Sequence, residues 1–200
     1  LIPLGQQYLI GGDEGCAEFA RRMIADWIVR NAYGRGVNWG VAMEAAMRII
    51  TMSWTFHVFA QADAWKDTEF REAFLKSIYG HAIFCDCYAE DYGAGGNHLI
   101  TDATALLFAG SLFVSLGPAD AWVTRGWGIL CHQISRQVGE DGVDFDGDTE
   151  RQVGGADGEA GMAARITEHL DHEVGGAVDH QVLIGKIQRR IDHAEQFDPP

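Results

Sequence analysis

No stretch of this chain is long and apolar enough to span a bilayer. The longest apolar run, Ala103 to Leu116, is broken by Thr104, Gly110, Ser111 and Ser115. It falls short of the roughly 18–20 residues a spanning helix needs, reads as a buried central helix, and argues against membrane insertion. Excess positive charge is missing as well. The formal net charge is −14, a surface that repels nucleic acid and anionic lipid, so no nucleic-acid partner is expected. Cysteines number only four. Cys85 and Cys87 lie too close together for the usual zinc pairs, and Cys16 and Cys131 stand alone, so buried free thiols are the default and neither metal nor cofactor is expected. No signal peptide is visible, but the chain begins at Leu1 rather than Met, so this proves little. Strand-like alternation is scarce throughout the first 139 residues.

What is present is a core. Two hundred residues, 47% of them hydrophobic and six of them tryptophan, suit one ordinary domain. Helical periodicity predicts five helices. Asp13 or Glu14 opens the first, with Phe19, Met23, Trp27 and Ile28 as its apolar positions, ending near Asn31. Asn38 caps the second, with Val41, Ala45, Ile49, Met52, Phe56 and Phe59 on one side. Asp67 or Thr68 opens the third, carrying Phe70, Phe74, Ile78, Phe84 and Cys85. Asp102 opens the fourth, stopped by Gly117-Pro118, and the fifth runs from near Ala119 through Trp122, Trp127, Leu130, Ile134 and Val138. His57 reads as a satisfied core histidine. Helices of this length joined by short glycine-bearing loops give an all-α fold of antiparallel hairpins packed in sequence.

The composition changes near residue 148. Residues 1–139 hold 10 basic and 14 acidic side chains, whereas residues 140–200 hold 5 and 15, and Phe197 is the only aromatic beyond Asp148. Residues 148–200 therefore read as a divergent acidic tail: either disordered, or two amphipathic helices on Met162, Ile166, Leu170 and on Leu183, Ile187, Ile191, separated by Gly175-Gly176. Asp144-Phe145-Asp146-Gly147-Asp148 looks calcium-like but fails the loop test. With Asp144 first, Thr149 stands where glycine is required and Gly155 where the bidentate glutamate belongs. His169 and His172 read as solvent-facing.

The most informative segment is Gly95-Gly96-Asn97-His98-Leu99-Ile100-Thr101-Asp102-Ala103. Asn97 offers N–H donors, His98 a ring that donates or accepts a proton near neutral pH, and the glycines allow close approach to the backbone. Such a pair can grip a carboxylate. The same residues also make a polar helix start, with Asp102 as N-cap and His98 paired to a carbonyl.

Other motifs accompany it in order: Gly36-Val37-Asn38-Trp39, Met43-Glu44-Ala45-Ala46-Met47-Arg48-Ile49-Ile50, Ser77-Ile78-Tyr79-Gly80-His81-Ala82 and Asp141-Gly142-Val143-Asp144-Phe145. From about Trp27 to Phe145 the series resembles the helical domain of the heparinase II/III-like polysaccharide lyases, which include heparinases and oligoalginate lyases. The resemblance implies an incomplete α/α toroid over residues 1–147, with an acidic polysaccharide or oligosaccharide as substrate. Cleavage would be by β-elimination, and the location periplasmic or secreted. Asn97 and His98 match the family's catalytic Asn-His pair. Asn97 would hydrogen-bond the uronate carboxyl, and His98 would share that task or take the proton. Trp39 reads either as the sugar-stacking platform, with Asn38 beside it, or as a buried core tryptophan, and Glu44 and Arg48 line the cleft or form an intrahelical pair.

One part of the family pattern has no counterpart. The tyrosine that serves as general acid belongs in a Tyr-His sequence shortly after Asp-Gly-x-x-Phe, where Arg151 and Gln152 stand instead, and the last tyrosine is Tyr92. Either Tyr92 substitutes, or the chain is impaired as a catalyst. The family's C-terminal β-sandwich also has no counterpart. Two rivals remain: an α/α-toroid glycoside hydrolase working through carboxylates such as Asp91 and Asp102, and a non-catalytic helical sugar-binding or scaffold module.

Overall fold

Aspartates start two helices where the sequence places them. Asp13 accepts the Gly15 N–H at 2.9 Å and Asp67 accepts the Phe70 N–H at 3.1 Å, each satisfying a donor that the first helical turn leaves open. In the computed structural model, which describes residues 1–92 and 96–138, these are the starts of α2 and α4. The described residues form six α-helices: α1 (Ile2–Gly11), α2 (Glu14–Arg30), α3 (Ala42–Phe59), α4 (Thr68–Tyr88), α5 (Asn97–Leu112) and α6 (Ala119–Gln137). One-turn 3-10 segments at Val37–Trp39 and Asp63–Trp65 precede α3 and α4. The all-α expectation holds, and among the described residues there is no β-sheet and no helix long and apolar enough to cross a membrane.

Several boundaries need correction. α1 is a sixth helix that the periodicity did not reveal. Asn38 does not cap α3; it sits inside the preceding 3-10 turn, and the N-cap position belongs to Val41. Asp102 is likewise not an N-cap. The chain turns into α5 at Gly96, whose φ of +125° only glycine adopts without strain, so the helix begins at Asn97 and carries Asp102 into its buried second turn. At its other end α5 stops at Leu112, before Gly117-Pro118.

The core lies between α2, α3, α4 and α5. Trp65, Phe56, Phe59 and Phe74 are all buried, with Trp65 stacked on Phe59 and set edge-on to Phe70 and Phe74. Along α2 the periodicity is right but the face is not. Phe19 and Met23 are exposed, and the smaller Cys16, Ala17 and Ala20 with Ile24 face inward, because close helix packing there favours small side chains. On α6 only Trp122 of the predicted stripe is fully buried, while Trp127, Ile134 and Val138 are exposed. His57 is exposed in the last turn of α3 rather than in the core. None of the four cysteines is in a disulfide; Cys16 and Cys85 are buried, Cys87 and Cys131 exposed.

Helices consecutive in the chain from α3 to α6 run antiparallel, so α3 and α5 start at the same end, and this positions the site. The start of α3 meets the end of α4, where the Cys85 thiol lies 3.6 Å from the Ala42 carbonyl. The segment after α4 meets the first turns of α5, where the Glu90 N–H donates to Asp102 Oδ2 at 2.9 Å. α5 packs against α3, α4 and α6, so its N-terminus is held at the end of the molecule where α2 and α4 finish and α3 begins. The acidic turn expected at residues 144–148, Arg151 and Gln152, His169 and His172, and the helices expected in the tail all fall outside the described residues.

Candidate functional site

Asn97 is the first residue of α5 and is exposed, and its side-chain amide has no hydrogen-bond partner among the described residues. His98 follows, with its side chain 35% exposed and Nδ1 2.6 Å from Glu90 Oε2. The structure thus brings the amide and the imidazole to the same helix start, beside open solvent. Placing them on the first turn also sets them where the helix backbone presents unpaired N–H groups and partial positive charge, which favours an anion.

Glu90 organises this corner, and sequence reasoning missed it. Its side chain is 6% exposed. Oε1 accepts the Met43 N–H at 3.0 Å, and Oε2 accepts the Tyr92 hydroxyl at 2.8 Å as well as His98 Nδ1. Burial pushes this carboxyl up, but the hydrogen bonds from Met43, His98 and Tyr92 together outweigh it and hold Glu90 below its ordinary value. The only signal in the sequence was an acid just beyond the end of α4, eight residues ahead of His98, with no periodicity to distinguish it from Asp91.

Tyr92 does not stand free. Its ring is exposed, but its hydroxyl proton goes to Glu90, and burial of the hydroxyl together with the Glu90 charge pushes its pKa up to about 12. A phenol so placed is a poor proton donor at neutral pH.

Asp102 is fully buried and so cannot be one of two carboxylates facing a sugar; the hydrolase pairing with Asp91 loses that partner. One oxygen accepts the Glu90 N–H, and the other has no hydrogen-bond partner. Burial raises its pKa from 3.8 to about 6, the Glu90 N–H pulling it down and the Glu90 charge raising it further. The neutral form is therefore favoured in the fold, and Asp102's contribution to stability is complete below about pH 4 and lost as pH rises through about 6. Asp102→Asn, which cannot ionise, is expected to flatten this part of the stability profile by up to about 3 kcal/mol between pH 4 and 7. Denaturant melts of both proteins across that range test this; parallel curves would contradict it.

The second cluster surrounds Arg48. Its Nε donates to His81 Nε2 at 3.0 Å, one terminal nitrogen donates to the Asn38 carbonyl, and another stands 3.7 Å from Glu44. The guanidinium lies over the Trp27 and Trp39 rings at 5.1 and 5.5 Å, a cation–π arrangement. His81 is fully buried, its Nδ1 2.6 Å from the Ser77 carbonyl. Burial pushes its pKa down to about 4; the Ser77 carbonyl opposes this and Arg48 adds to it, so the ring is neutral and accepts from Arg48. This cluster fixes the segment ahead of α3, where Asn38 also donates to Asn31.

Of the two readings of Trp39, the structure selects the buried core one. It is 3% exposed, packed between Tyr33, His81 and Phe84, so neither ring face is open for sugar stacking. Glu44 is exposed, and its pair with Arg48 is the intrahelical one. His81 joins Arg48 rather than the Asn97-His98 turn. An apolar cavity of about 540 Å³ between α1, α3 and α5 is lined by Leu9, Trp54, His57 and Leu107 among others, and holds none of the expected site residues.

A profile of the Heparinase II/III N-terminus family matches residues 1–160. The heparin-sulfate lyase of Bacteroides stercoris is 28% identical over 164 residues, covering 72% of this chain and 24% of that protein. The heparin-sulfate lyase of Pedobacter heparinus is 28% identical over 144 residues, covering 70% of this chain and 21% of that protein. The chain therefore spans less than a quarter of either relative. Among solved structures, the heparan sulfate lyase HepC from Pedobacter heparinus matches with a TM-score of 0.60 and 26% identity, over 70% of this chain and 22% of that one.

Proposed function

Because the chain belongs to the Heparinase II/III N-terminus family, we propose that it is the helical part of a polysaccharide lyase whose substrate is a uronate-containing glycosaminoglycan. Its antiparallel hairpins would form part of an α/α toroid, with Asn97 binding the sugar carboxylate at the start of α5 and His98 beside it sharing that task or taking the proton. The observation that carries this reading is the pairing of an exposed amide with a Glu90-anchored imidazole on one helical turn.

Elimination removes the proton next to the uronate carboxyl and expels the sugar oxygen on the neighbouring carbon. That proton is weakly acidic unless the carboxylate charge is neutralised as the enolate-like state forms. Asn97 supplies uncommitted N–H donors, the α5 N-terminus adds partial positive charge, and His98 Nε2 has no protein partner among the described residues to compete for it. The general acid is the weak point. Tyr92 is tied to Glu90, and Arg151 and Gln152 stand where the family's Tyr-His belongs, so these 200 residues bind the sugar but turn it over poorly. By analogy with its relatives, it works in the periplasm or outside the cell. Asn38, Glu44 and Arg48 border the same end of the molecule and would shape the cleft through the segment ahead of α3.

The test is direct. Mixed with oligouronates, the chain should bind them without generating the ultraviolet absorbance of an unsaturated sugar. Asn97→Ala should weaken binding roughly 10- to 100-fold, the loss of one or two hydrogen bonds to a charged group. New reducing ends without that absorbance would point to hydrolysis. Binding indifferent to Asn97 and His98 would favour a scaffold module.

A further inference from the structure

We propose that Glu90 is a positioning residue for His98: its carboxylate fixes the imidazole with the proton on Nδ1, leaving Nε2 as the bare nitrogen that faces the substrate. Its use in elimination rests on the reading above; the tautomer itself does not.

The argument is one of donors and acceptors. A carboxylate only accepts, and three groups converge on this one: the Met43 N–H on Oε1 at 3.0 Å, with the Tyr92 hydroxyl at 2.8 Å and His98 Nδ1 at 2.6 Å on Oε2. With Oε2 already receiving the tyrosine proton, the short contact to Nδ1 is satisfied by an Nδ1–H donating to the same oxygen. The carboxyl is 6% exposed, so water does not compete freely for it. Its own backbone is held too, because the Glu90 N–H donates to the buried Asp102. Glu90 thus ties the start of α3 to two points on the first two turns of α5, and the imidazole orientation is part of that framework.

The consequence concerns division of labour. A neutral imidazole carries one proton, and with that proton on Nδ1 the outer nitrogen is an acceptor. Neutral His98 then takes a proton rather than donating to a carboxylate, and the N–H donors for the sugar carboxylate come from Asn97 and the α5 N-terminus. The same logic, a buried acid holding a histidine in one tautomer, operates in the hydrolytic triads.

Nitrogen-15 NMR of the imidazole rings in the 200-residue chain reads the tautomer without any substrate, with His98→Ala used to assign the signal. The expected result is a protonated Nδ1 and an unprotonated Nε2 in the neutral ring. In Glu90→Gln the Met43 N–H retains the side-chain oxygen, so the amide group takes the place of Oε2 and turns a donor toward Nδ1; the pattern should invert to Nε2–H. Tyr92→Phe should leave the wild-type pattern in place. A wild-type ring protonated on Nε2, or a Glu90→Gln spectrum unchanged from wild type, overturns the proposal. If Glu90→Gln does not fold, the wild-type and Tyr92→Phe spectra decide. Loss of oligouronate binding with the tautomer as expected would sink the lyase reading alone.

Discussion

Gly126→Val is expected to destabilise the chain by roughly 3 kcal/mol or more, a large share of the total for a domain this size. Gly126 sits where α6 crosses α5 at backbone distance. A Cβ there would lie 2.6 Å from the Ala103 carbonyl oxygen and 3.2–3.3 Å from Leu107. The closest of these is backbone, which cannot swing aside, so the helices must separate. Separation would also disturb Trp122, buried one turn earlier on α6, whose indole N–H donates to Asp86 at 3.1 Å. Gly128, on the same helix, supplies the control, because a Cβ there meets nothing within 4 Å. Gly128→Ala should stabilise by about 0.5–1 kcal/mol through helix propensity alone. Opposite signs at two glycines two positions apart are the signature of close helix approach. Equal effects in denaturant melts would remove this account of the α5–α6 contact.

Trp65→Ala is expected to cost about 3–5 kcal/mol. The side chain is fully buried, its faces and edges meet Phe59, Phe70 and Phe74, and its N–H donates to the Ala17 carbonyl at 2.9 Å. Truncation opens a cavity walled by aromatic rings that cannot easily collapse, and it removes a buried hydrogen bond between α2 and the segment ahead of α4. Trp65→Phe, which retains most of the ring contact but not the hydrogen bond, should cost clearly less. If both substitutions are tolerated within about 1 kcal/mol, the aromatic cluster is not the centre of the core.

Much of this architecture was legible in the sequence, for reasons that can be named. Asp13 and Asp67 announce helix starts because a short acid satisfies exposed N–H groups at no steric cost, and the turn before Ala119 is marked by Gly117-Pro118. α1 was missed because Ile2–Gly11 combines a proline, glycines and an apolar content without a clear stripe. Asp102 misled for the opposite reason. It has the chemistry of a cap but lies in the second turn of α5, where tertiary contact with Glu90 overrides local preference. Along α2 and α6 the large apolar residues mark the expected inner face, yet Phe19, Met23, Trp127 and Ile134 are exposed while alanines and a glycine make the contacts.

The site was half legible. Asn97 and His98 stand out as neighbours in the chain, because adjacency is visible in one dimension. What orients His98 comes from elsewhere: Glu90 from beyond α4, Met43 from the first turn of α3, Tyr92 from the same loop as Glu90. Those three share no period and no motif. Trp39 shows the converse, since a tryptophan beside a polar loop looks like a sugar platform until Tyr33, His81 and Phe84 are seen to enclose it.

The central claim is that Asn97 and His98 together receive an acidic sugar at the start of α5, Asn97 at its carboxylate and His98 beside it. Titrating the chain with a short oligouronate, while following the Asn97 side-chain amide and the His98 imidazole by NMR, addresses it most directly. Both resonances should move together and saturate, and a neutral oligosaccharide of equal length should move neither. Stationary Asn97 and His98 signals while other residues respond, or an equal response to the neutral sugar, would contradict it.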